Sequence, residues 1–288
     1  MPLTPTLFPA TSARRCALAL AFAAALGAGS ARGQTFDEVP FITTPDNVTL
    51  EMLSIAGVGP DDHVIDLGSG DGRIVIVAAR RFGASGLGVE LVPDLVERSR
   101  RSAQAAGVAD RVSFREQDLF KTDLGAATVI TMYLLPEINL QLRPTLLALK
   151  PGTRVVSHDW DMGEWKPDRT VVLPVPDKKV GLEKSSKVHL WTVPAQVAGL
   201  WCGAGVLRGA SLTLSQRFQE FSGVLRVRER SRELTGRVEG PTLSTAGGKA
   251  GELTLHVDRS QMRILSAGGP LALAIGARFN RASGGACG

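Results

Sequence analysis

Between an apolar run and a helical stretch the chain reads Val64-Ile65-Asp66-Leu67-Gly68-Ser69-Gly70-Asp71-Gly72-Arg73. Three glycines at alternate positions, placed there, constrain the fold more than any other feature. Glycine tolerates φ > 0 and lets another molecule approach the backbone closely. A strand that ends in such a turn and passes directly into a helix opens a parallel α/β unit, with its ligand at the helix N-terminus beyond the carboxyl end of the strand. A purely structural turn is the competing reading of a lone glycine pattern.

The flanking sequence repeats the same grammar. Thr44 as a cap and Pro45 at the first helical position start a helix whose apolar residues Val48, Met52, Leu53 and Ala56 run to Gly57. Strands are expected over 64–67, 86–91, 111–116, 127–133 and 153–158, with helices over 73–81, 93–106 and 138–150 between them. Alternation of this kind predicts a parallel sheet with right-handed crossovers and helices on both faces. Two further strands, 170–173 and 187–193, are expected to add an antiparallel pair at the sheet edge.

The spacing and charge of the turn select the ligand class. Gly68, Gly70 and Gly72 form GxGxG rather than the GxGxxG of dinucleotide binders, and no lysine follows as a P-loop requires. Asp66 and Asp71 would repel a pyrophosphate at short range. A nucleoside carrying a positive end and no phosphate fits better, and S-adenosylmethionine has both a sulfonium and an ammonium. Glu90 ends the second strand, where a carboxylate can accept from ribose hydroxyls. Asp118 follows the third, where it can meet an adenine amino group. Either acid alone reads as a solvated strand-end residue; three at successive strand ends read as a binding edge.

These residues resemble the first three motifs of the class I S-adenosylmethionine-dependent methyltransferases, with a Rossmann-like sheet. Pro40-Phe41-Ile42-Thr43-Thr44-Pro45, Asp118-Leu119-Phe120, Thr131-Met132-Tyr133-Leu134-Leu135-Pro136 and Gly152-Thr153-Arg154-Val155-Val156-Ser157-His158-Asp159 look like bacterial relatives of a mitochondrial protein-lysine N-methyltransferase family acting on membrane-associated proteins. The resemblance spans about residues 34–195. It implies S-adenosylmethionine as cofactor, with Asp66, Gly68, Ser69, Gly70 and Gly72 at the methionine end, Glu90 at the ribose, and Asp118 and Leu119 at the adenine. Tyr133 would face the transferred methyl as the catalytic residue, or else serve as a core tyrosine. Where other branches carry Asn or Asp, two prolines and an aromatic, this chain has Met132-Tyr133-Leu134-Leu135-Pro136, which argues against amide and adenine methylation. His158 and Asp159 either serve the acceptor or have a structural role. Protein-lysine methylation is the expected activity. The alternatives are small-molecule O- or N-methylation and a non-catalytic exported binding protein. No metal site is expected, because the four histidines and three cysteines are scattered.

The formal charge of +5 is a sum of unlike segments. Residues 1–33 hold three arginines and no acid around the apolar run 16–26, the pattern of a signal peptide or an N-terminal anchor, and hence of an exported or membrane-anchored protein. Residues 34–195, the expected methyltransferase domain, hold 18 basic and 22 acidic side chains, which gives no support to a nucleic-acid substrate. Residues 196–288 hold 12 basic and 6 acidic ones. Their period-two patterns at 211–215, 221–227, 237–240 and 252–257 predict a small antiparallel β segment, a sheet or open barrel. Arg226, Arg228, Arg230 and Arg232 would share one face of a single strand, either merely solvated or docking an acidic partner or anionic membrane. The glycine- and alanine-rich stretch after Asp258 carries no periodic signal.

Overall fold

Side chains of β1 (His63–Leu67) alternate between two cores, as the two-residue period of a strand requires. Val64 packs with Val129 and Val156 beneath α1 (Asp46–Ile55) and α2 (Arg73–Phe82), whereas Ile65 and Leu67 pack with Ile130, Met132 and Val155 beneath α4 (Pro136–Leu147). The computed structural model describes residues 42–179, 183–246 and 252–287. The expected leader over 1–33 lies outside them.

β2 (Ser85–Glu90), α3 (Pro93–Ala105), β3 (Val112–Glu116), β4 (Val129–Met132), β5 (Arg154–His158), β6 (Arg169–Pro174) and β7 (Ser185–Thr192) complete a seven-stranded sheet of order β3-β2-β1-β4-β5-β7-β6. The first five strands are parallel, and β7 runs antiparallel between β5 and β6. The order reverses at β1, so the glycine turn stands at the switch point where a cleft opens. Two details depart from expectation. Thr44 does not cap α1; Pro45 occupies the cap position, and the Thr44 hydroxyl turns instead toward His158. β4 ends at Met132, so Tyr133 lies just past the strand rather than within it.

Residues from 199 onward form a closed antiparallel barrel of β8 (Gly199–Ala204), β9 (Ala210–Arg217), β10 (Glu220–Val227), β11 (Arg230–Glu239), β12 (Thr242–Thr245), β13 (Leu253–Asp258), β14 (Gln261–Ala267) and β15 (Arg278–Arg281). The expected antiparallel β segment is thus present, as a closed barrel rather than a sheet or open barrel. β15 lies in the stretch without periodic signal, and it pairs with both β14 and β8 to shut the seam. Closure bends strands at Gly203, Gly223 and Gly236, where an added Cβ would lie 2.1–2.2 Å from a backbone oxygen. The arginine stripe is also corrected. A turn at Arg228 and Glu229, with Arg228 at φ 56°, separates Arg226 on β10 from Arg230 and Arg232 on β11.

The barrel has its own apolar core around Trp201, Leu212, Val238, Leu255 and Phe279. A disulfide between Cys202 and Cys287 ties its first strand to the chain end. Its β9–β10 turn inserts Phe218 against the core beneath α4. The same turn anchors by Gln219 Nε2, which donates to Lys166 O at 2.8 Å and to Asp168 Oδ1 at 3.0 Å. Arg217–Glu164 and Arg237–Asp168 ion pairs flank it.

Candidate active site

Asp66 stands at the carboxyl end of β1, 2 % exposed, opposite Thr131 of β4, whose hydroxyl donates to Oδ1 at 2.7 Å. Burial disfavours its charged form and, with Glu90 and Asp71 nearby, pushes its pKa up to about 7 despite the Thr131 bond. The turn that follows is held to β2, because the Gly68 and Ser69 N–H groups both donate to Val89 O. Gly68, Gly70 and Gly72 all have positive φ, so the loop folds back over the sheet and delivers Gly72 to the head of α2. Gly72 and Gly88 also leave room for the Phe114 ring, which a Cβ at either would meet at 2.6 Å.

Glu90 closes the loop from the second strand. Its Oε2 accepts from Gly70 N at 2.9 Å, and its Oε1 accepts from Leu91 N and Val92 N at 2.8 and 3.1 Å. Three of about four lone-pair directions are thus already directed at backbone donors. Asp71 is different in kind. Burial alone would raise its pKa, but the Arg73 guanidinium grips both carboxylate oxygens and holds it below the usual range. Arg73 also donates to Thr44 O at 2.9 Å, tying the segment before α1 across the loop. Asp71 is therefore neutralised within the protein, while Asp66 faces no cation among the described residues.

The remaining expected residues divide into two groups. Asp118, after β3, accepts from Phe120 N at 2.9 Å and pairs with Lys121, and the backbone beside it joins the site through Gln117 N donating to Glu90 O. Leu119 is half-buried against the core beneath α4. On the β4–β5 side, Tyr133 stacks on His158 with ring centroids 3.9 Å apart, and Leu134 packs over Gly68. Burial, and then Asp159, raise the Tyr133 pKa. Both His158 nitrogens are engaged, Nδ1 with Thr44 Oγ1 and Nε2 with Ser186 Oγ. Burial drives His158 down to about 4, so the ring is a neutral platform under Tyr133.

Asp159 has φ 64° and accepts from Lys187 N and from Lys178 Nζ at 2.8 Å. Those bonds outweigh burial and lower its pKa. Arg73, Thr131, Ser186 and Lys178 were not anticipated. Thr131, Ser186 and Lys178 act by touching residues remote in sequence, which only the fold reveals. Arg73 was the one within reach, standing two residues from Asp71.

Among known proteins, the model of the ANTKMT methyltransferase domain matches residues 66–169, ending before the barrel. A protein-lysine N-methyltransferase of Saccharolobus islandicus (strain REY15A) is 42 % identical over 135 residues, which are 46 % of this chain and 84 % of that protein. The adenine nucleotide translocase lysine N-methyltransferase of Mus musculus is 34 % identical over 131 residues, 45 % of this chain and 57 % of that one, so the chain spans little more than half of this longer relative. A crystal structure described as an RNA methyltransferase from Salinibacter ruber, bound to S-adenosyl-L-homocysteine, is 52 % identical, covers 54 % of this chain and 96 % of its own, and superposes with a TM-score of 0.49. With a glycine turn, strand-end carboxylates and the first two of these matches in place, the chain belongs to the protein-lysine N-methyltransferase family of the class I S-adenosylmethionine-dependent methyltransferases.

Proposed function

We propose that the protein transfers a methyl group from S-adenosylmethionine to a lysine side chain of a protein substrate. The observation that carries this reading is the charge balance of the glycine turn. Asp66 is buried without a cation, beside Glu90 and a self-neutralised Asp71. A site so built is relieved by a ligand with positive charge and no phosphate. The buried Ser69 hydroxyl, without a partner in the turn, offers a further polar contact.

S-adenosylmethionine supplies an electrophilic methyl on a sulfonium. Asp66 and the Gly68–Gly72 turn would hold its methionine end, Glu90 its ribose through its remaining lone pair, and Asp118 and Leu119 its adenine. In-line transfer gains most of its rate from positioning. Tyr133, fixed on the His158 ring at the end of β4, would align the acceptor amine. That amine has to be neutral to attack, and its ordinary pKa is about 10.4. Apolar surroundings favour the neutral form, and Leu134 and Leu135 flank this position. The proton leaves to solvent, since His158 has both nitrogens occupied.

Relatives are named for lysine methylation of the adenine nucleotide translocase and of an ATP synthase component, which supports a protein acceptor, including a membrane-associated one. The Cys202–Cys287 disulfide supports an exported or anchored location, because such bonds persist in oxidising compartments. Calorimetry with S-adenosylmethionine and mass spectrometry of methylated lysines test the reading. Binding is expected in the wild type and weakened roughly 10–100-fold in Asp66→Asn, the range for losing a charge-assisted contact. Tyr133→Phe is expected to keep cofactor affinity and lose kcat. Methylation confined to small-molecule acceptors would overturn the lysine assignment, and absence of cofactor binding would overturn the whole reading.

A further inference from the structure

The barrel has two unlike ends. The end formed by the β9–β10 turn and by Gly240 meets the methyltransferase sheet. Strand pairing assigns three connections among the described residues to the opposite end. Ala204, ending β8, pairs with Arg278, which starts β15, and Ala210, starting β9, pairs with Val227, which ends β10. The 3-10 turn Gly205–Leu207, the Arg228–Glu229 turn and the 3-10 turn Gly269–Ala274 therefore gather there.

That free end combines two features. Its turns bear aliphatic tips, with Val206 83 %, Leu273 95 % and Ile275 55 % exposed, while their neighbours Leu207 and Ala274 are buried as anchors in the barrel core. Around them stand the exposed Arg208, Arg226, Arg228 and Arg230, against Glu229 and Glu233 on the same hairpin. Single aliphatic tips on separate turns do not form a groove for a peptide, but they can each enter the boundary of a bilayer while arginines meet its headgroups. Single-stranded nucleic acid fits less well, since it calls for stacking platforms. The barrel's aromatics Trp201, Phe221 and Phe279 are buried, and Phe218 packs under α4.

We propose that the free end of the barrel is a docking surface for an anionic lipid membrane, with Val206, Leu273 and Ile275 inserting and the Arg226–Arg230 hairpin and Arg208 binding headgroups. Docking in this way is independent of the N-terminal segment and of the methyl-transfer site.

Co-sedimentation of the full chain with phosphatidylcholine vesicles, with and without phosphatidylserine, tests this. The wild type is expected to prefer the phosphatidylserine vesicles, with binding that weakens as salt is raised. Val206→Ser/Leu273→Ser/Ile275→Ser and Arg226→Ser/Arg228→Asn/Arg230→Ser are each expected to lower binding about tenfold or more, with melting temperature and cofactor binding unchanged. Both variants retain the N-terminal segment, so binding equal to the wild type in either overturns the proposal. So does tighter binding of the wild type to single-stranded RNA or to an acidic polypeptide than to the anionic vesicles.

Discussion

Two buried groups at the strand ends respond to pH in opposite directions. Asp66 has a native pKa of about 7 against an ordinary 3.8, so the native state holds its proton more tightly. Its contribution to stability is full at low pH and falls as pH rises from about 3.8 to 7. The same deprotonation creates the charge that attracts a cationic ligand. Cofactor affinity is therefore expected to rise between pH 6 and 8 by roughly the fraction of Asp66 ionised. Asp66→Asn should abolish that rise while leaving the unliganded protein at pH 8 as stable as the wild type or more so. Calorimetry at several pH values and thermal melts check both, and a variant that keeps the pH-dependent affinity would remove Asp66 from the site. His158 works the other way. Its native pKa of about 4 lies below the ordinary 6.5, so the unfolded chain takes up the proton first, and stability is lost as pH falls through that interval. His158→Phe keeps a ring under Tyr133 but leaves the Thr44 and Ser186 hydroxyls without their partner. It is expected to cost about 1–3 kcal/mol at pH 7 and to flatten the loss of stability between pH 6.5 and 4. Denaturant titrations across that range should show equal slopes only if the ring is not the titrating group.

At the level of elements, legibility followed periodicity and turn chemistry. The strand, glycine turn and helix from Val64 to Arg81 were readable because their apolar side chains face a core through a regular period and the turn between them is set by local glycines. The Asp66, Glu90 and Asp118 positions were readable because strand ends in a parallel sheet share one edge. What the sequence hid was set by contacts between distant segments: Thr44 drawn from its cap by His158, Arg73 reaching back to Thr44 O, and Lys178 reaching Asp159. Closure of the barrel was hidden for a related reason. Alternation marks a strand but not the partner it finds, and β15 is only four residues long. The arginine stripe failed because alternate spacing continues unchanged through the two-residue turn at Arg228 and Glu229. The signal that was available lay in glycines inside strands. Gly236 of β11 lies against Ser244 O of β12 and the Phe221 ring of β10, so Gly236→Ala must push backbone apart. A loss of about 1–3 kcal/mol in unfolding free energy is expected, whereas Gly284→Ala, with open space around it, should be neutral. Urea titrations of the two variants that gave equal midpoints would rule out the glycine bend as a condition of closure.

On the scale of the whole molecule, the sheet and the barrel have separate cores but a shared boundary, and the chain end is locked into the second. The disulfide joins Cys202 of β8 to Cys287 across 85 residues, which include every other barrel strand. Beside it, Arg281 stacks over the Trp201 ring at 4.2 Å and donates to Ala198 O and Gln196 O. The bond and the arginine therefore hold the closing strand to the opening one at the seam where β15 meets β8. Cross-linking a loop of that length removes much of the unfolded chain's freedom, and losing it costs typically about 2–4 kcal/mol. Cys287→Ser should therefore lower the barrel's unfolding free energy by about that amount, and dithiothreitol should reproduce the loss in the wild type but not in the variant. The methyltransferase sheet contains neither cysteine, so S-adenosylmethionine affinity is expected to persist under reduction. Two unfolding transitions would follow, the barrel first and the sheet second, since the boundary between them is built from one inserted phenylalanine, the close approach of Gly240 to Gly152, and polar contacts through Lys166 O, Asp168 and Glu164 rather than from a shared apolar core. A single coincident transition in the reduced protein, with cofactor binding lost at the same midpoint, would show instead that the sheet depends on an intact barrel for its own stability.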